Sequence, residues 1–514
     1  MTTMMNGNAN STSTHFDSSP PTRTNDEKVD SVETGMVSSS EKRSENKEVN
    51  PPNAVKLLIL VTVVLFCAGG AYSGQTLYVL KGSFKEALDI NNTQYGIAQS
   101  AVFLMGTFMP MVGGILMDRF GPLPVAVAST CSVALANLCI AIASETRLFA
   151  LMTVGRILHG MGSGVTLVAQ KTILARWFRG TALSLAFGVF IATSNLSGFV
   201  AQVVAIPLKE AAGRYNVVVW VAFGVCLLSC LATATYAVIL YSLGTKDISA
   251  QQKRSFSLRN ILRFPAGYWF VPLTMVFFGA SWNPLLGSLT ELVQQRYSPS
   301  ESQASLIASV SLVVPVIISP MVGGWMDRYG HRMTLLVLCG GFLMIALLLL
   351  LLTKGAIVIF ALLLFSISMA VVPVALGSTI SLALPQEYVG SGTGIDKAVF
   401  STGTVISNLL IGYLQDADGG RYDHALLMLF VVAILAFISC VLYWLYDRVY
   451  NHRIMEVSTK ARKLILETLK ASESSDETKK PRSPRLLSII SVTLILSLMA
   501  TSWAWFIAAN VTVK

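Results

Sequence analysis

Long apolar runs separated by short polar stretches make up most of this chain. A helix that crosses a lipid bilayer needs about 20 mainly apolar residues, and about twelve runs between Ala54 and Tyr446 reach that length by hydropathy. The predicted spans are approximately 54–79, 94–117, 123–143, 148–174, 180–207, 216–241, 266–290, 302–326, 333–353, 356–383, 394–414 and 424–446. This pattern predicts an all-α membrane protein.

Polar segments flank and divide these spans. Residues 1–53 are rich in serine, threonine, asparagine and charged residues, so we expect a disordered tail there. Residues 242–265 are predicted to link spans six and seven, and the polar residues 447–485 follow span twelve. A further apolar run at 486–509 is long enough to cross the membrane, so it is a candidate thirteenth transmembrane helix that packs against the bundle.

The composition supports a lipid environment. Of the 514 residues, 53% are hydrophobic and 13% are charged, and the mean hydropathy is +0.61. The formal net charge of +10 comes mainly from tails and loops rather than from one face, so we expect no nucleic-acid partner. A cytoplasmic N-terminus places most basic residues on the cytoplasmic side. The tail and both linkers are therefore predicted to be cytoplasmic.

The sequence shows no pattern of cysteines, histidines or nucleophilic side chains that would form a metal site or a catalytic site. All seven cysteines fall within predicted spans, where they are expected to be small packed residues. No zinc-protease motif, phosphate-binding loop or nucleophile–base pair is evident. We therefore expect no metal, no cofactor and no enzymatic activity.

One short sequence occurs twice. "MVGGILMDRFG" occupies residues 111–121, and "MVGGWMDRYGHR" occupies residues 321–332. The first copy ends span two and the second ends span eight, so each set of six spans carries the element after its second helix. This repetition predicts two six-helix bundles, at residues 54–241 and 266–446.

These segments resemble the motif that the major facilitator superfamily carries between helices two and three, and its counterpart between helices eight and nine. "GRILHGMGSG", residues 155–164, resembles the arginine and glycine motif of that family's fourth helix. The resemblance implies the major facilitator superfamily fold and transport by alternating access of two halves around a central site. We assign a conformational role to Gly114, Asp118, Arg119, Gly121, Gly324, Asp327, Arg328, Gly330 and Asp396.

The resemblance also implies a partner for Asp118. In that family the acid faces the start of helix eleven, where Gly390, Gly392 and Gly394 of this chain would present backbone amides. Such a contact would hold the two halves together on the cytoplasmic side. The alternative is an Asp-Arg pair that only flanks a helix and sets its orientation.

Polar residues on span four follow helical spacing. Arg156, His159, Ser163, Thr166 and Gln170 recur at steps of three and four, which places them on one face. A charge or amide at membrane depth must face a cavity or a partner, so this face is predicted to border a solute pathway. The alternative is hydrogen bonding between packed helices. Further predicted solute contacts are Tyr72, Gln75, Asn195, Trp282, Asn283 and Lys397.

Acidic residues are scarce within the spans. Spans one to six carry none in their interiors, and only Glu291 and Asp396 come close in the second six. Coupling to protons or sodium commonly uses an intramembrane carboxylate, so the scarcity favours facilitated transport, or movement of an anion toward Arg156 or Lys397. His159 leaves proton coupling open, because histidine titrates near neutrality.

A narrower resemblance concerns two segments, "LVAQKTILARWFRGTALSLAFGV" at residues 167–189 and "LPQEYVGSGTG" at residues 384–394. They resemble a branch that contains lysosomal dipeptide uniporters. That branch carries an acid on helix four and an arginine on helix five, where this chain has Gly164 and Asn195. The resemblance implies a lysosomal or vacuolar membrane, with the plasma membrane as the alternative, and a possible single-span accessory subunit for which residues 486–509 would substitute.

Three functions are consistent with the sequence. The first is a facilitative uniporter for a small polar solute such as a dipeptide or amino acid. The second is a proton-coupled carrier of organic anions of the monocarboxylate type, which would use Arg156, His159 or Lys397 as its charges. The third is a membrane receptor or scaffold that keeps a transporter fold without transporting.

Overall fold

A computed structural model describes residues 53–89, 92–178, 182–243, 264–297, 300–353, 357–418, 421–450, 453–458, 461–462, 465 and 485–512. Ala54–Lys514 forms one compact unit. The tail predicted at 1–53 lies outside the described residues except for Asn53, and so does most of each predicted linker, 242–265 and 447–485. The disorder of the tail and the division into domains stay predictions.

Every long element in the described ranges is an α-helix. The first, α1, has two segments, Asn53–Val64 and Ala68–Val79, joined by a 3-10 turn at Leu65–Cys67. A short helix, Lys81–Leu88, follows it. The other long helices are α2 (Asn92–Phe120), α3 (Pro122–Thr146), α4 (Phe149–Phe178), α5 (Leu183–Ala212), α6 (Asn216–Ser242), α7 (Ala266–Tyr297), α8 (Glu301–Tyr329), α9 (Arg332–Leu352), α10 (Ile357–Ala383), α11 (Val389–Ala417), α12 (Asp423–Tyr450) and α13 (Arg485–Thr512).

Each predicted span corresponds to one of the helices α1 to α12. Among the described residues, 11 helices are long and apolar enough to cross a membrane, and α4 and α11 are not among them. These two helices have spanning length, at 30 and 29 residues. Their apolar character is reduced by charged residues, Arg156 and Lys171 on α4 and Asp396 and Lys397 on α11. Because charge at membrane depth is costly and is usually functional, α4 and α11 are the helices most expected to carry functional residues.

Glycines with positive φ end two of the helices. Gly121 has a φ of 88° between α2 and α3, and Gly330 has a φ of 86° between α8 and α9. Residues other than glycine rarely adopt this conformation. The two predicted motif glycines therefore end each helix one residue after the Asp-Arg pair.

Two helix pairs join the first six helices, α1–α6, to the second six, α7–α12. Helix α2 packs along α11, and α5 packs along α8. We call α1–α6 and α7–α12 the two halves. The motif end of the bundle is the end that carries Asp118 and Asp327, and the opposite end is the end that carries Lys81 and Glu291.

The C-terminal helix α13 lies on the outside of this bundle. It contacts α2 in the first half and both α7 and α11 in the second. The indole nitrogen of Trp503 donates a hydrogen bond of 3.0 Å to the hydroxyl oxygen of Thr107 on α2. Only 6% of the most apolar window of Ile489–Ala508 is buried, so most of α13 faces away from the protein.

Candidate functional site

The acid of the first motif copy connects the two halves. One Asp118 carboxylate oxygen accepts hydrogen bonds from the backbone nitrogen of Ser391, at 2.9 Å, and from the Ser391 hydroxyl. Ser391 lies in the first turn of α11, where backbone amides lack partners within the helix and the helix dipole attracts an anion. The predicted contact with the start of helix eleven is present. Ser391 supplies both of these donors, and the backbone of Gly390, one of the three predicted glycines, also faces the Asp118 carboxylate.

The second copy makes the equivalent contact. Asp327 accepts a hydrogen bond of 3.0 Å from the backbone nitrogen of Leu185, in the first turn of α5. Its other oxygen is 3.2 Å from a guanidinium nitrogen of Arg332, which also donates to the Ser184 hydroxyl at 3.0 Å. The duplicated sequence therefore produces two related contacts at the motif end, α2 with α11 and α8 with α5.

Two glycines allow these helices to approach. A Cβ atom built on Gly114 would lie 2.4 Å from the carbonyl oxygen of Gly390, and one on Gly323 would lie 2.3 Å from that of Ser184. A Cβ on Gly324 would meet only a Leu185 methyl carbon, at an ordinary 3.7 Å. Gly114 and Gly323 each lie four residues before their acid. The structural counterpart of Gly114 is therefore Gly323, and the conformational role assigned to Gly324 stays a prediction.

The arginines of the motif divide into exposed and buried positions. Arg119 and Arg328 are exposed, and each guanidinium lies over a neighbouring ring, at 5.2 Å from Phe120 and 5.4 Å from Tyr329. Arg332 is only 1% exposed and makes the ion pair with Asp327. The sequence prediction did not include Arg332, although it stands in the quoted second copy.

A cavity of about 350 Å³ lies between the halves. Its walls come from α1 to α5 of the first half and from α7, α8, α10 and α11 of the second half. Nine of the predicted solute-contact residues line it, namely Gln75, Arg156, His159, Ser163, Thr166, Asn195, Trp282, Asn283 and Lys397. Asp396, which we had assigned to the conformational set, lines it as well.

Two predicted solute contacts do not line the cavity. Tyr72 is buried with Ala201 and Ala222. The Gln170 amide donates to the backbone carbonyl oxygens of Val63, at 2.7 Å, and Val64, at 3.3 Å. These carbonyls lie where α1 changes into its 3-10 turn, so Gln170 stabilises the break in α1. Hydrogen bonding between helices, the alternative for the polar face of α4, applies at this position.

Polar partners hold the cavity residues nearest the opposite end. One guanidinium nitrogen of Arg156 donates to the side-chain oxygen of Gln99, while the other, Nη1, has no hydrogen-bond partner in the described part of the chain. Nδ1 of His159 is 3.3 Å from the Asn137 amide nitrogen. Arg156 thus combines a fixed position with a free donor.

Lys171 also lines the cavity, and the sequence prediction missed it. Its Nζ atom is 3.8 Å from Oδ2 of Asp396. Because Lys171 belongs to α4 and Asp396 to α11, this ion pair connects the halves. Lys171 is one residue beyond Gln170 and so departs from the spacing of three and four. The available signal was a lysine inside an otherwise apolar span.

Contacts between the halves recur at the opposite end. Nζ of Lys81 and Oε2 of Glu291 are 2.6 Å apart, and the Tyr422 hydroxyl donates to the same oxygen at 2.6 Å. Burial and the neighbouring Glu291 charge raise the pKa of Tyr422 well above its usual value, so its phenol stays a donor. Gln202 on α5 donates to the Ser305 hydroxyl on α8 at 2.8 Å. The halves therefore touch on both sides of the cavity.

Comparison with known sequences decides the family. A family model described as Major Facilitator Superfamily matches residues 61–283 and 271–513. This chain belongs to the major facilitator superfamily. It is accordingly an integral multi-pass membrane protein and a secondary transporter, not an enzyme, as the sequence predicted.

Individual relatives of this major facilitator superfamily protein agree with the assignment. The lysosomal dipeptide transporter MFSD1 of Homo sapiens is 23% identical over 411 residues, which cover 77% of this chain and 87% of that protein. The crystal structure of the human organic anion transporter MFSD10 (TETRAN) covers 76% of this chain and 100% of its own, with a TM-score of 0.56 and 17% identity. The crystal structure of the fucose:proton symporter FucP of E. coli covers 76% of this chain and 99% of its own, with a TM-score of 0.57 and 16% identity.

This family member lacks charge at the two positions where the dipeptide branch was expected to carry it. A Cβ atom on Gly164 would lie 2.8 Å from a ring carbon of Pro110, so a larger side chain there would require α2 to move. The Asn195 amide donates 2.8 Å to the carbonyl oxygen of Ile191 on its own helix. The cavity charges lie elsewhere, on α4 and α11.

Proposed function

We propose that this protein is a facilitative uniporter that moves a small polar solute, such as a dipeptide or amino acid, by alternating access. The observation that carries the proposal is the cavity between the halves, with contacts between the halves on both sides of it. Separation at the motif end would open the cavity to one compartment, and separation at the opposite end would open it to the other.

The charges of the cavity wall favour a solute with a negative group. In the described part of the chain the wall carries the cations Arg156, Lys171 and Lys397 and the single acid Asp396. Buried charge is stable only when it is paired, so the excess of cations suits a carboxylate. The human relative named as a dipeptide transporter would carry such a group in its solute.

A proton-coupled organic-anion carrier is the second candidate. The scarcity of acids within the spans argued for uniport, yet Asp396 is buried and lines the cavity beside Lys171. A carboxylate in this position could exchange a proton during transport. Proton coupling therefore stays the alternative, with Asp396 as the residue that would carry the proton.

The proposal also covers the orientation of the bundle, the position of α13 and the membrane that holds the protein. We place the motif end in the cytoplasm, following the distribution of basic residues. We also place α13 across the membrane as a thirteenth span, where its contacts with α2, α7 and α11 would substitute for a single-span accessory subunit. The lysosomal or vacuolar membrane is proposed on the basis of the relatives, with the plasma membrane as the alternative.

Uptake by purified protein in liposomes tests the proposal. We expect saturable entry of labelled alanyl-alanine, alanine or lactate without an imposed pH gradient. Ser163→Trp should abolish entry by filling the cavity, whereas Val154→Trp, on the exposed face of the same helix, should leave it intact. Entry that requires a pH gradient would favour the proton-coupled carrier. No entry of any probe into liposomes that hold folded protein would favour the receptor.

A further inference from the structure

The ion pair between Lys171 and Asp396 is incomplete. At 3.8 Å the two charged atoms are too far apart for a good hydrogen bond. Their side chains are only 7% and 2% exposed, and Oδ1 of Asp396 has no hydrogen-bond partner among the described residues. Leaving a buried charge without its hydrogen bonds is costly. Something else is therefore needed to complete this pair.

A second lysine increases the imbalance. Lys397 follows Asp396 on α11 and lines the same cavity, with Nζ 4.5 Å from the centre of the Phe400 ring. An aromatic face attracts an ammonium group but does not neutralise it. Two ammonium groups therefore share one carboxylate, and a further anion would balance the cluster.

This cluster is separate from Arg156. Lys171 lies 15 residues after Arg156 on the same helix, which corresponds to a rise of about 22 Å. A dipeptide backbone extends only about 7 Å. Arg156 and Lys171 therefore lie at different levels of the cavity, and we treat the cluster around Lys171 as a site of its own.

We propose that Lys171, Lys397 and Asp396 form a recognition site for the carboxyl end of a peptide or amino acid. The solute carboxylate binds between the two ammonium groups, and the solute nitrogen next to it donates a hydrogen bond to Oδ1 of Asp396. This inference rests on the proposed function and names the group of the solute that the cavity recognises.

The site lies between the two halves, so solute binding affects how the halves contact each other. Lys171 extends from α4 into the second half, where its Nζ atom would lie 3.9 Å from a Cβ built on Gly377 of α10. A carboxylate that attracts Lys171 competes with Asp396 for it. Solute binding thereby replaces a direct connection between the halves with one through the solute. The strength of that connection depends on the distance between α4 and α11, which is the differential interaction that a conformational change requires.

Thermal unfolding of the purified full-length chain tests the inference. The probes are alanyl-alanine, its C-terminal amide and lactate, which has a carboxylate but no neighbouring nitrogen. We expect alanyl-alanine to raise Tm at concentrations at least tenfold lower than the amide requires. Lys171→Gln should weaken the response to alanyl-alanine about tenfold. The control is Thr172→Val, at a buried neighbour that does not line the cavity, and it should not change the response.

A second variant supplies a readout that does not depend on overall stability. Asp396→Asn keeps the size of the side chain. The quantity to compare is the ratio of the affinities for alanyl-alanine and lactate, because a change in overall stability would affect both affinities alike. We expect this ratio to be above ten in the unaltered protein and to fall severalfold in Asp396→Asn. An unchanged ratio would overturn the role of Asp396, and an unchanged affinity in Lys171→Gln would overturn the site while leaving the proposed function intact. A protein that responds to no carboxylate probe would contradict the proposed function itself.

Discussion

The Asp118 carboxylate lies 2.9 Å from the backbone nitrogen of Ser391, so the last turn of α2 is bonded to the first turn of α11. Asp327 stands in the same relation to Leu185 on α5. The same sequence occurs twice because each half contributes the acid of one contact and the helix start of the other. The two contacts together hold the halves against each other at the motif end.

Replacing the acid should weaken this closure without preventing folding. Asp118→Asn keeps the shape of the side chain but loses the charge, and hydrogen bonds to a charged group contribute about 1.5–3 kcal/mol each. Part of this is retained by the amide oxygen. We expect the equilibrium to shift toward opening at the motif end by about fivefold to thirtyfold, measured as altered Vmax and KM in liposomes.

The control for this variant is Asp89→Asn, an exposed acid that precedes α2 at the opposite end. It should insert and transport normally. Unaltered kinetics in Asp118→Asn, at equal amounts of inserted protein, would show that the Asp118–Ser391 contact does not govern opening.

Added side-chain volume should matter at Gly114, where α2 crosses α11, and not at Gly324, where α8 faces a side chain of α5. Gly114→Ala places a methyl group against the Gly390 carbonyl oxygen, and such overpacking costs about 1–3 kcal/mol. We expect lower thermal stability and slower transport. Gly324→Ala is the matched control, because its methyl group meets only a flexible leucine side chain. Equal effects of the two variants would refute the assignment of the close contact.

The ion pair at the opposite end should restrain opening in the other direction. Lys81 and Glu291 are partly exposed, with side chains 19% and 30% accessible, so the pair is worth about 0.2–1 kcal/mol. Glu291→Gln should increase the labelling of a cavity cysteine from that side about 1.4-fold to fivefold. Lys81→Glu combined with Glu291→Lys should restore the original rate. Failure of the exchanged pair to restore it would mean that the charges act separately.

Removal of the C-terminal helix should affect the amount of protein more than its affinity. Deletion of all residues after Pro481 removes α13 and exposes its contacts on α2, α7 and α11. We expect a lower protein level or impaired trafficking, with KM unchanged within about twofold. Trp503→Phe removes the hydrogen bond to Thr107 but keeps most of the ring, and it should have a smaller effect in the same direction. A raised KM with normal protein level would overturn this account.

The sequence predicted the helices well because the membrane imposes a length. About 20 apolar residues are needed per span, and all predicted spans between Ala54 and Tyr446 correspond to helices α1 to α12. The contact between Asp118 and α11 was also predicted, since the family resemblance names the helix that the acid faces. These features depend on local sequence or on the arrangement of helices that the family resemblance implies.

Side-chain partners were harder to predict because they depend on how neighbouring helices bend and rotate. Gln170 shares a face with Arg156, yet the 3-10 turn of α1 presents carbonyl groups that bind its amide. Lys171 lies off the expected spacing but is long enough to reach Asp396. The close backbone contact of the second copy lies at Gly323, because spacing from the acid, rather than order within the Gly-Gly pair, sets the point of contact.

The central claim is that the cavity between the halves opens alternately to the two sides, and the accessibility of Ser163 tests it most directly. Ser163→Cys, in a protein whose seven native cysteines are replaced by alanine, is treated with an impermeant maleimide from either side. Thr172→Cys is the buried control outside the cavity. The account predicts that Ser163→Cys reacts from both sides, with Asp118→Asn favouring the motif end and Glu291→Gln the opposite end. A cysteine that reacts from neither side in any of these variants would contradict it.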